Sequence, residues 1–142
     1  MPLITTEDRY SVHLCRSKPE CFFIFGDNQK RVGKGGQAII RDEPNALGVC
    51  TKWSPSMHPS AFMTDDELKD NMLLILGDLA RVEALLVTNH VVLFPSTGIG
   101  TGLAEMPKRA PKTYKLMMSR ISDLAFHYKF DERTYMSPGL DV

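Results

Sequence analysis

Two glycine-rich segments contain the residue types whose spacing suits the binding of a ligand. They cover residues 22–38 and 91–107, and each begins with a short apolar run of strand-like length. Glycine lets the backbone approach a ligand closely and present successive N–H groups to an anion. The candidate glycines are Gly26, Gly35, Gly36, Gly98, Gly100 and Gly102. Plain turns are the alternative, but two such segments at two strand ends predict one phosphate or diphosphate site.

Asp27 and Asn28 follow the first apolar run directly and have two interpretations. Asp and Asn favour turns, because their side chains can bond their own backbone. At the end of a strand, the same side chains can hydrogen-bond a sugar hydroxyl of a ligand. The sequence leaves both interpretations open.

The order of elements is strand, glycine loop, helix, strand, loop, helix, strand, glycine loop, helix. This alternation predicts an α/β fold, a three-layer α/β/α sandwich with a mixed, largely parallel central sheet. The 142 residues fit a single domain, with a core at about residues 21–128 and a tail over residues 129–142. The alternation of Tyr10, Val12 and Leu14 with polar residues predicts an early edge strand.

Composition excludes several classes of function. Seventeen Lys and Arg residues balance seventeen Asp and Glu residues, so global charge gives no reason to expect nucleic-acid or membrane binding. Cys15, Cys21 and Cys50 have no metal-binding spacing, and we expect neither a metal nor a cofactor. The sequence shows no signal peptide and no membrane span, which predicts a cytoplasmic protein.

The two segments together resemble the macrodomain superfamily of ADP-ribose-binding modules, in its compact bacterial and phage variety. The resemblance lies in residues 25–28, in the Gly-x-Gly-Gly-Gln-Ala helix entry at residues 33–38, and in the Pro-Ser-Thr-Gly-Ile-Gly-Thr-Gly-Leu loop at residues 95–103. It covers roughly residues 21–127.

The resemblance implies an ADP-ribose moiety across the carboxyl edge of the sheet. Asp27 and Asn28 would face adenine or ribose beside Gly26, and Gln37 would lie with two glycines along the diphosphate and distal ribose. The residues that would wrap the phosphates are Thr97, Gly98, Ile99, Gly100, Thr101 and Gly102.

Catalytic groups are less well matched to that family. Macrodomain hydrolases of one type have an acid where this chain has Gln37, and another type has one where this chain has Ala104. Glu105, one residue later, would either activate water at the anomeric carbon or favour a helix start. Lys52 would be a nucleophile if desolvated, or else an exposed lysine at a strand end.

Two functions remain after these comparisons. The first is hydrolysis of an ADP-ribose linkage in a small derivative or a modified macromolecule, with Asp27, Asn28, Lys52 and Glu105 as catalytic residues. The second is non-catalytic binding of an ADP-ribose-like nucleotide. A dinucleotide oxidoreductase or NTPase is disfavoured, because Leu103 replaces the third fingerprint glycine and no Walker lysine is present. The sequence leaves the oligomeric state open.

Overall fold

The computed structural model describes residues 3–6 and 9–128, and a four-stranded sheet lies at its centre. The strands are β1 (Leu3–Thr6), β2 (Cys21–Asn28), β3 (Ala46–Lys52) and β4 (Val91–Pro95). Their order across the sheet is β1, β4, β2, β3, and each neighbouring pair is parallel. The prediction of an α/β fold is therefore confirmed.

Helices cover both faces of this sheet. They are α1 (Val12–Ser17), α2 (Leu68–Val87), α3 (Met106–Arg109) and α4 (Pro111–His127), with 3₁₀ helices at Gly36–Ile40, Pro59–Ala61 and Asp65–Glu67. Ile24 of β2 belongs to a cluster with the buried residues of α2 and α4, whereas Phe23 and Phe25 belong to a cluster with Cys15 and Ile40. Because both faces of β2 are buried, its sequence is continuously apolar rather than alternating.

The predicted edge strand at residues 10–14 is wrong, because helix α1 begins at Val12. The Ser11 hydroxyl accepts a hydrogen bond from the Leu14 amide at 3.0 Å, which caps the helix. Tyr10 is buried before the helix, and its hydroxyl donates to the Ile24 carbonyl at 2.7 Å. The edge strands of the sheet are instead β1, which lies earlier in the chain than the predicted core, and β3.

Parallel pairing brings the carboxyl ends of β2, β3 and β4 to the same edge of the sheet. Both glycine-rich segments leave the sheet at that edge, after β2 and after β4. The predicted tail over residues 129–142 lies outside the described residues. Within the described ranges, no helix is long and apolar enough to cross a bilayer.

Candidate functional site

The two glycine loops are held together by the side chain of Gln37. Its Oε1 accepts a hydrogen bond from the Gly26 amide at 2.9 Å, and its Nε2 donates to the Gly98 carbonyl at 2.9 Å. Gln37 stands at the start of the 3₁₀ helix that follows the first loop. The amide side chain therefore joins the end of β2, the first loop and the second loop at one point.

A cavity of about 250 Å³ lies between the two loops, and we call it the main cavity. Its wall contains most of the residues that the sequence identified as site candidates. Those found there are Gly26, Asp27, Asn28, Gly35, Gly36, Gln37, Lys52, Gly100 and Gly102. The expectation that residues 26–37 and 96–102 meet across one space agrees with this geometry.

Backbone amides of both loops have no hydrogen-bond acceptor within the part of the chain that is described. In the first loop these are the N–H groups of residues 33–37, and in the second those of residues 99–102. Gly98 and Gly100 have φ angles of 80° and 81°, whereas Ile99 between them has a negative φ. Alternation of this kind turns successive N–H groups toward one concavity, the arrangement that binds anions in phosphate-binding loops.

Gly100 is also fixed by packing. A Cβ built at this position would lie 2.5 Å from Sδ of Met106, and its positive φ disfavours any side chain. Gly102 differs, because no atom lies within 4 Å of the position that its Cβ would occupy. The second loop thus contains one glycine that the fold requires and one that borders open space.

Asp27 lines the main cavity, but its carboxylate forms part of an ion-pair network. Oδ1 accepts from the guanidinium of Arg41 at 2.6 Å, and Oδ2 accepts from that of Arg31 at 3.4 Å. Arg31 in turn donates to Asp78 of α2 at 2.7 Å. Asp78 also accepts from the Cys50 amide, so the network joins the first loop to β3 and α2.

The neighbouring strand leaves room for this carboxylate only because residue 48 is glycine. A Cβ at Gly48 would lie 2.8 Å from Cβ of Asp27, closer than carbon atoms normally approach. In this position Asp27 acts on the loop through two arginines, and both of its carboxylate oxygens are engaged by guanidinium groups.

Asn28 lines the main cavity and has a buried acceptor without a partner in the described chain. Its Nδ2 donates to the Val32 carbonyl at 2.8 Å, which fixes the orientation of the amide. Its Oδ1 is buried and has no partner within the described chain. Because a buried acceptor without a donor is costly, this atom is suited to a hydroxyl or amine of a ligand that enters after a small shift.

Lys52 is the candidate nucleophile, and it lies at the end of β3 in the cavity wall. The residue is only 7% exposed, and its ammonium group donates to the Ser56 carbonyl at 2.8 Å and lies 4.4 Å from the ring centre of Phe62. Burial lowers the pKa of Lys52, which the charge of Glu105 partly offsets. The alternative of an exposed lysine is wrong.

Glu105 is absent from the wall of the main cavity. It precedes α3 in a left-handed conformation, with φ of 49°, and its carboxylate accepts from Arg109 at 2.8 Å. The hydrogen bond from Arg109 lowers the pKa of Glu105. This geometry corresponds to the helix-start interpretation rather than to a base that faces a ligand.

The remaining predicted phosphate contacts are distributed differently. Ile99 is completely buried in the core, so only its backbone is available to a ligand. Thr101 donates its hydroxyl hydrogen to the Thr97 carbonyl at 2.9 Å. Thr97 borders a second cavity of about 320 Å³, the side cavity, whose wall also contains Gly36 and Gln37.

Sequence reasoning missed the apolar rim of the main cavity. Val32, Pro55 and Leu103 line it, and Leu103 is 58% exposed although it is a large apolar side chain. Leu103 extends from the second loop toward the first, since its Cδ1 lies 3.6 Å from the position of a Cβ at Gly35. In the sequence, the position of Leu103 directly after the last loop glycine was the one indication of this rim.

Among residues 3–6 and 9–128, no group of three or more His, Cys, Asp and Glu side chains could hold a metal ion.

A comparison with protein families finds one model whose match contains all the described residues of the site. A model described as a family of unknown function, DUF7831, matches residues 5–120. The chain belongs to this family. No curated protein and no solved structure matches the chain. The DUF7831 match includes both glycine loops, Lys52, Glu105 and the residues of the side cavity.

Proposed function

We propose that the main cavity of this DUF7831 protein binds ADP-ribose or a related diphosphate nucleotide. The observation that carries the proposal is the pair of facing loops whose amides have no partner in the described chain. Such amides bind phosphate oxygens without requiring a basic protein, which suits a chain with balanced charges.

Two further features support a nucleotide over an inorganic anion. The Oδ1 atom of Asn28 needs a donor, which a ribose hydroxyl or an exocyclic amine supplies. The apolar rim formed by Val32, Pro55 and Leu103 provides a surface for a base or a sugar face. Ligand sites commonly combine an apolar lining with a few placed polar groups in this way.

The proposal extends to the fold. Helices on both faces of the sheet and a ligand site at its carboxyl edge are compatible with a three-layer, macrodomain-like sandwich. The resemblance of the two loops to macrodomains supports this assignment, and an experimental structure with ADP-ribose bound would test it.

We propose further that the protein hydrolyses an ADP-ribose linkage, with Lys52 as the central residue. Its side chain lies in the cavity wall, and burial favours the neutral, nucleophilic amine. The neutral amine of Lys52 would attack the anomeric carbon of the distal ribose as the bond to the acceptor breaks, and the acceptor would leave with a proton from the amine. Water would then displace the amine from that carbon, which releases ADP-ribose and restores Lys52. Lys52 would first have to release the Ser56 carbonyl.

Non-catalytic binding is the second candidate, and specific contacts favour it. Arginines hold the carboxylates of Asp27 and Glu105, and the two positions at which macrodomain hydrolases of one type or another have an acid are Gln37 and Ala104. Under this alternative, the same cavity recognises the nucleotide and leaves it intact.

Calorimetry with ADP-ribose tests the binding proposal. Gly102→Leu fills the cavity from a position with free space, so we expect a loss of affinity of at least tenfold, equivalent to about 1.4 kcal/mol. Gly77→Leu is the matched control. Gly77 lies on α2, and a Cβ at this position also has no atom within 4 Å. An absence of heat with the wild type, or equal affinity of both variants, would contradict the proposal.

Turnover separates the two candidates. Wild type, Lys52→Met and the exposed-lysine control Lys69→Met are incubated with ADP-ribosylated protein and nucleic acid, and released ADP-ribose is measured by chromatography. Hydrolysis predicts release by the wild type and Lys69→Met but not by Lys52→Met. Release by none of them, with retained binding, supports the non-catalytic candidate.

A further inference from the structure

The side cavity shares a wall with the main cavity. Gly36 and Gln37 line both, and the bonds of Gln37 to Gly26 and Gly98 hold the boundary between them in place. The other described residues of the side cavity are Arg9, Tyr10, Pro95, Ser96 and Thr97. The two cavities are therefore neighbouring compartments at one edge of the sheet.

Size indicates that the main cavity is only part of a larger site. Its volume of about 250 Å³ lies just under the range of about 300–1,000 Å³ that is typical of small-molecule sites. A nucleotide with two riboses and a diphosphate needs more space. The adjoining side cavity adds about 320 Å³.

Charge indicates which part of the ligand enters the side cavity. Of the residues that the structure describes, three charged side chains line the two compartments, namely Asp27, Lys52 and Arg9. Asp27 is paired with arginines, and the ammonium group of Lys52 bonds a carbonyl. Arg9 is exposed and has no ion pair or hydrogen bond with any part of the chain that is described. Among the charged residues that the structure describes in the two walls, Arg9 is therefore the one whose side chain can meet a ligand anion without first breaking a contact.

The surroundings of Arg9 suit a phosphate. Ser96 and Thr97 are exposed, and neither their hydroxyls nor their amides donate a hydrogen bond within the described ranges. Tyr10 is excluded as a ligand group, because its hydroxyl already donates to the carbonyls of Ile24 and Leu93. A guanidinium with nearby hydroxyls and amides is a set of donors for phosphate oxygens.

We propose that the diphosphate of the ligand lies across Gly36, with one phosphate against the main-cavity amides and the other in the side cavity against Arg9. The main cavity and the ADP-ribose ligand in this proposal rest on the proposed function. Arg9 is then a specificity residue that distinguishes diphosphates from monophosphates. Gly36 suits the crossing point, because it has no side chain and its amide has no partner among the described residues.

Calorimetry at fixed ionic strength tests this assignment with four probes: ADP-ribose, inorganic diphosphate, AMP and inorganic phosphate. We expect Arg9→Gln to weaken the first two by about tenfold and the monophosphates by less than about twofold. Ser96→Trp, which obstructs the side cavity, should give the same pattern. Arg81→Gln is the matched control, since Arg81 is exposed on α2 and is not among the described residues that line either cavity.

The outcomes separate this proposal from the function on which it rests. If the wild type binds ADP-ribose and neither Arg9→Gln nor Ser96→Trp changes the diphosphate preference, the side-cavity assignment is wrong and the nucleotide site stands. If inorganic diphosphate binds in an Arg9-dependent manner but ADP-ribose does not, the side cavity stands and the nucleotide proposal fails. If no probe binds, both are wrong.

Discussion

The side-chain amide of Gln37 donates a hydrogen bond of 2.9 Å to the backbone carbonyl of Gly98. These residues are 61 positions apart in the sequence and belong to different glycine loops. The contact sets the width of the main cavity, because the other end of the same amide is bonded to Gly26 in β2. Gln37 is thus a structural crosslink, with little freedom to act on a ligand through its side chain.

Gln37→Glu should lower the free energy of unfolding by about 1–3 kcal/mol, because it replaces the donor to Gly98 with a carboxylate oxygen. The measurement is urea unfolding at neutral pH. Gln29→Glu, at an exposed position in the first loop, is the control and should change stability little. Equal stability of Gln37→Glu and wild type would show that the loops do not depend on this crosslink.

The glycines of the second loop should respond differently to alanine. Gly100→Ala combines a clash with Met106 and an unfavourable φ, so we expect a loss of about 2–4 kcal/mol. Gly102→Ala meets no atom and has no positive φ, so its stability should stay within about 0.5 kcal/mol of the wild type. Gly77→Ala in α2 should be stabilising by up to about 1 kcal/mol. Chemical denaturation of the three variants checks this order, and a Gly100→Ala protein as stable as Gly102→Ala would contradict it.

Asp27→Asn should reduce stability before it affects any chemistry, because it leaves Arg41 and Arg31 without their shared carboxylate. We expect the free energy of unfolding to fall by about 3 kcal/mol, which is the low end for a broken buried ion pair. The value is low because the Arg31 side chain is 37% exposed and solvent screens its charge. Thermal and urea unfolding measure the loss, with Asp66→Asn at an exposed position of a 3₁₀ helix as the control. A fully stable Asp27→Asn protein that had lost only turnover would instead identify Asp27 as a catalytic residue.

Lys52 predicts a specific dependence of stability on pH. Burial lowers its pKa in the folded protein below the value of 10.5 for an exposed lysine, so protonation favours the unfolded chain. The contribution of Lys52 to the free energy of unfolding therefore increases as the pH rises from the lowered pKa of the folded state toward 10.5. The difference in unfolding free energy between wild type and Lys52→Met, measured from pH 7 to 10.5, should move in favour of the wild type. A difference that does not vary with pH would show that Lys52 is not desolvated.

Much of the site was predictable because parallel strands end at a common edge. Recognising the apolar runs before residues 26 and 96 was enough to bring both loops together. The partners of Asp27 were not predictable, since its bonds to Arg41 and Arg31 depend on how a loop of a dozen residues folds back. The crosslink formed by Gln37 was not predictable either. A glutamine beside glycines has the same sequence pattern whether its side chain contacts a ligand or hydrogen-bonds the backbone of two segments.

The N-terminal region shows where local patterns are insufficient. Tyr10, Val12 and Leu14 alternate over five residues, which fits a strand and also one turn of helix. The outcome was decided by the Ser11 cap and by the bonds of the Tyr10 hydroxyl to two strands, and the latter is a tertiary contact. Arg9, the side-cavity cation, was overlooked because it lies outside both glycine segments.

The close approach of Gly48 to Asp27 has a consequence for how sequences of this family can vary. Any side chain at position 48 would displace the carboxylate that orients Arg41 and Arg31. We therefore expect a larger residue at position 48 to be compatible only with the loss of the acid at position 27 and of its arginine partners. These positions are expected to change as a group, so that exchanging one of them alone between relatives yields a misfolded first loop.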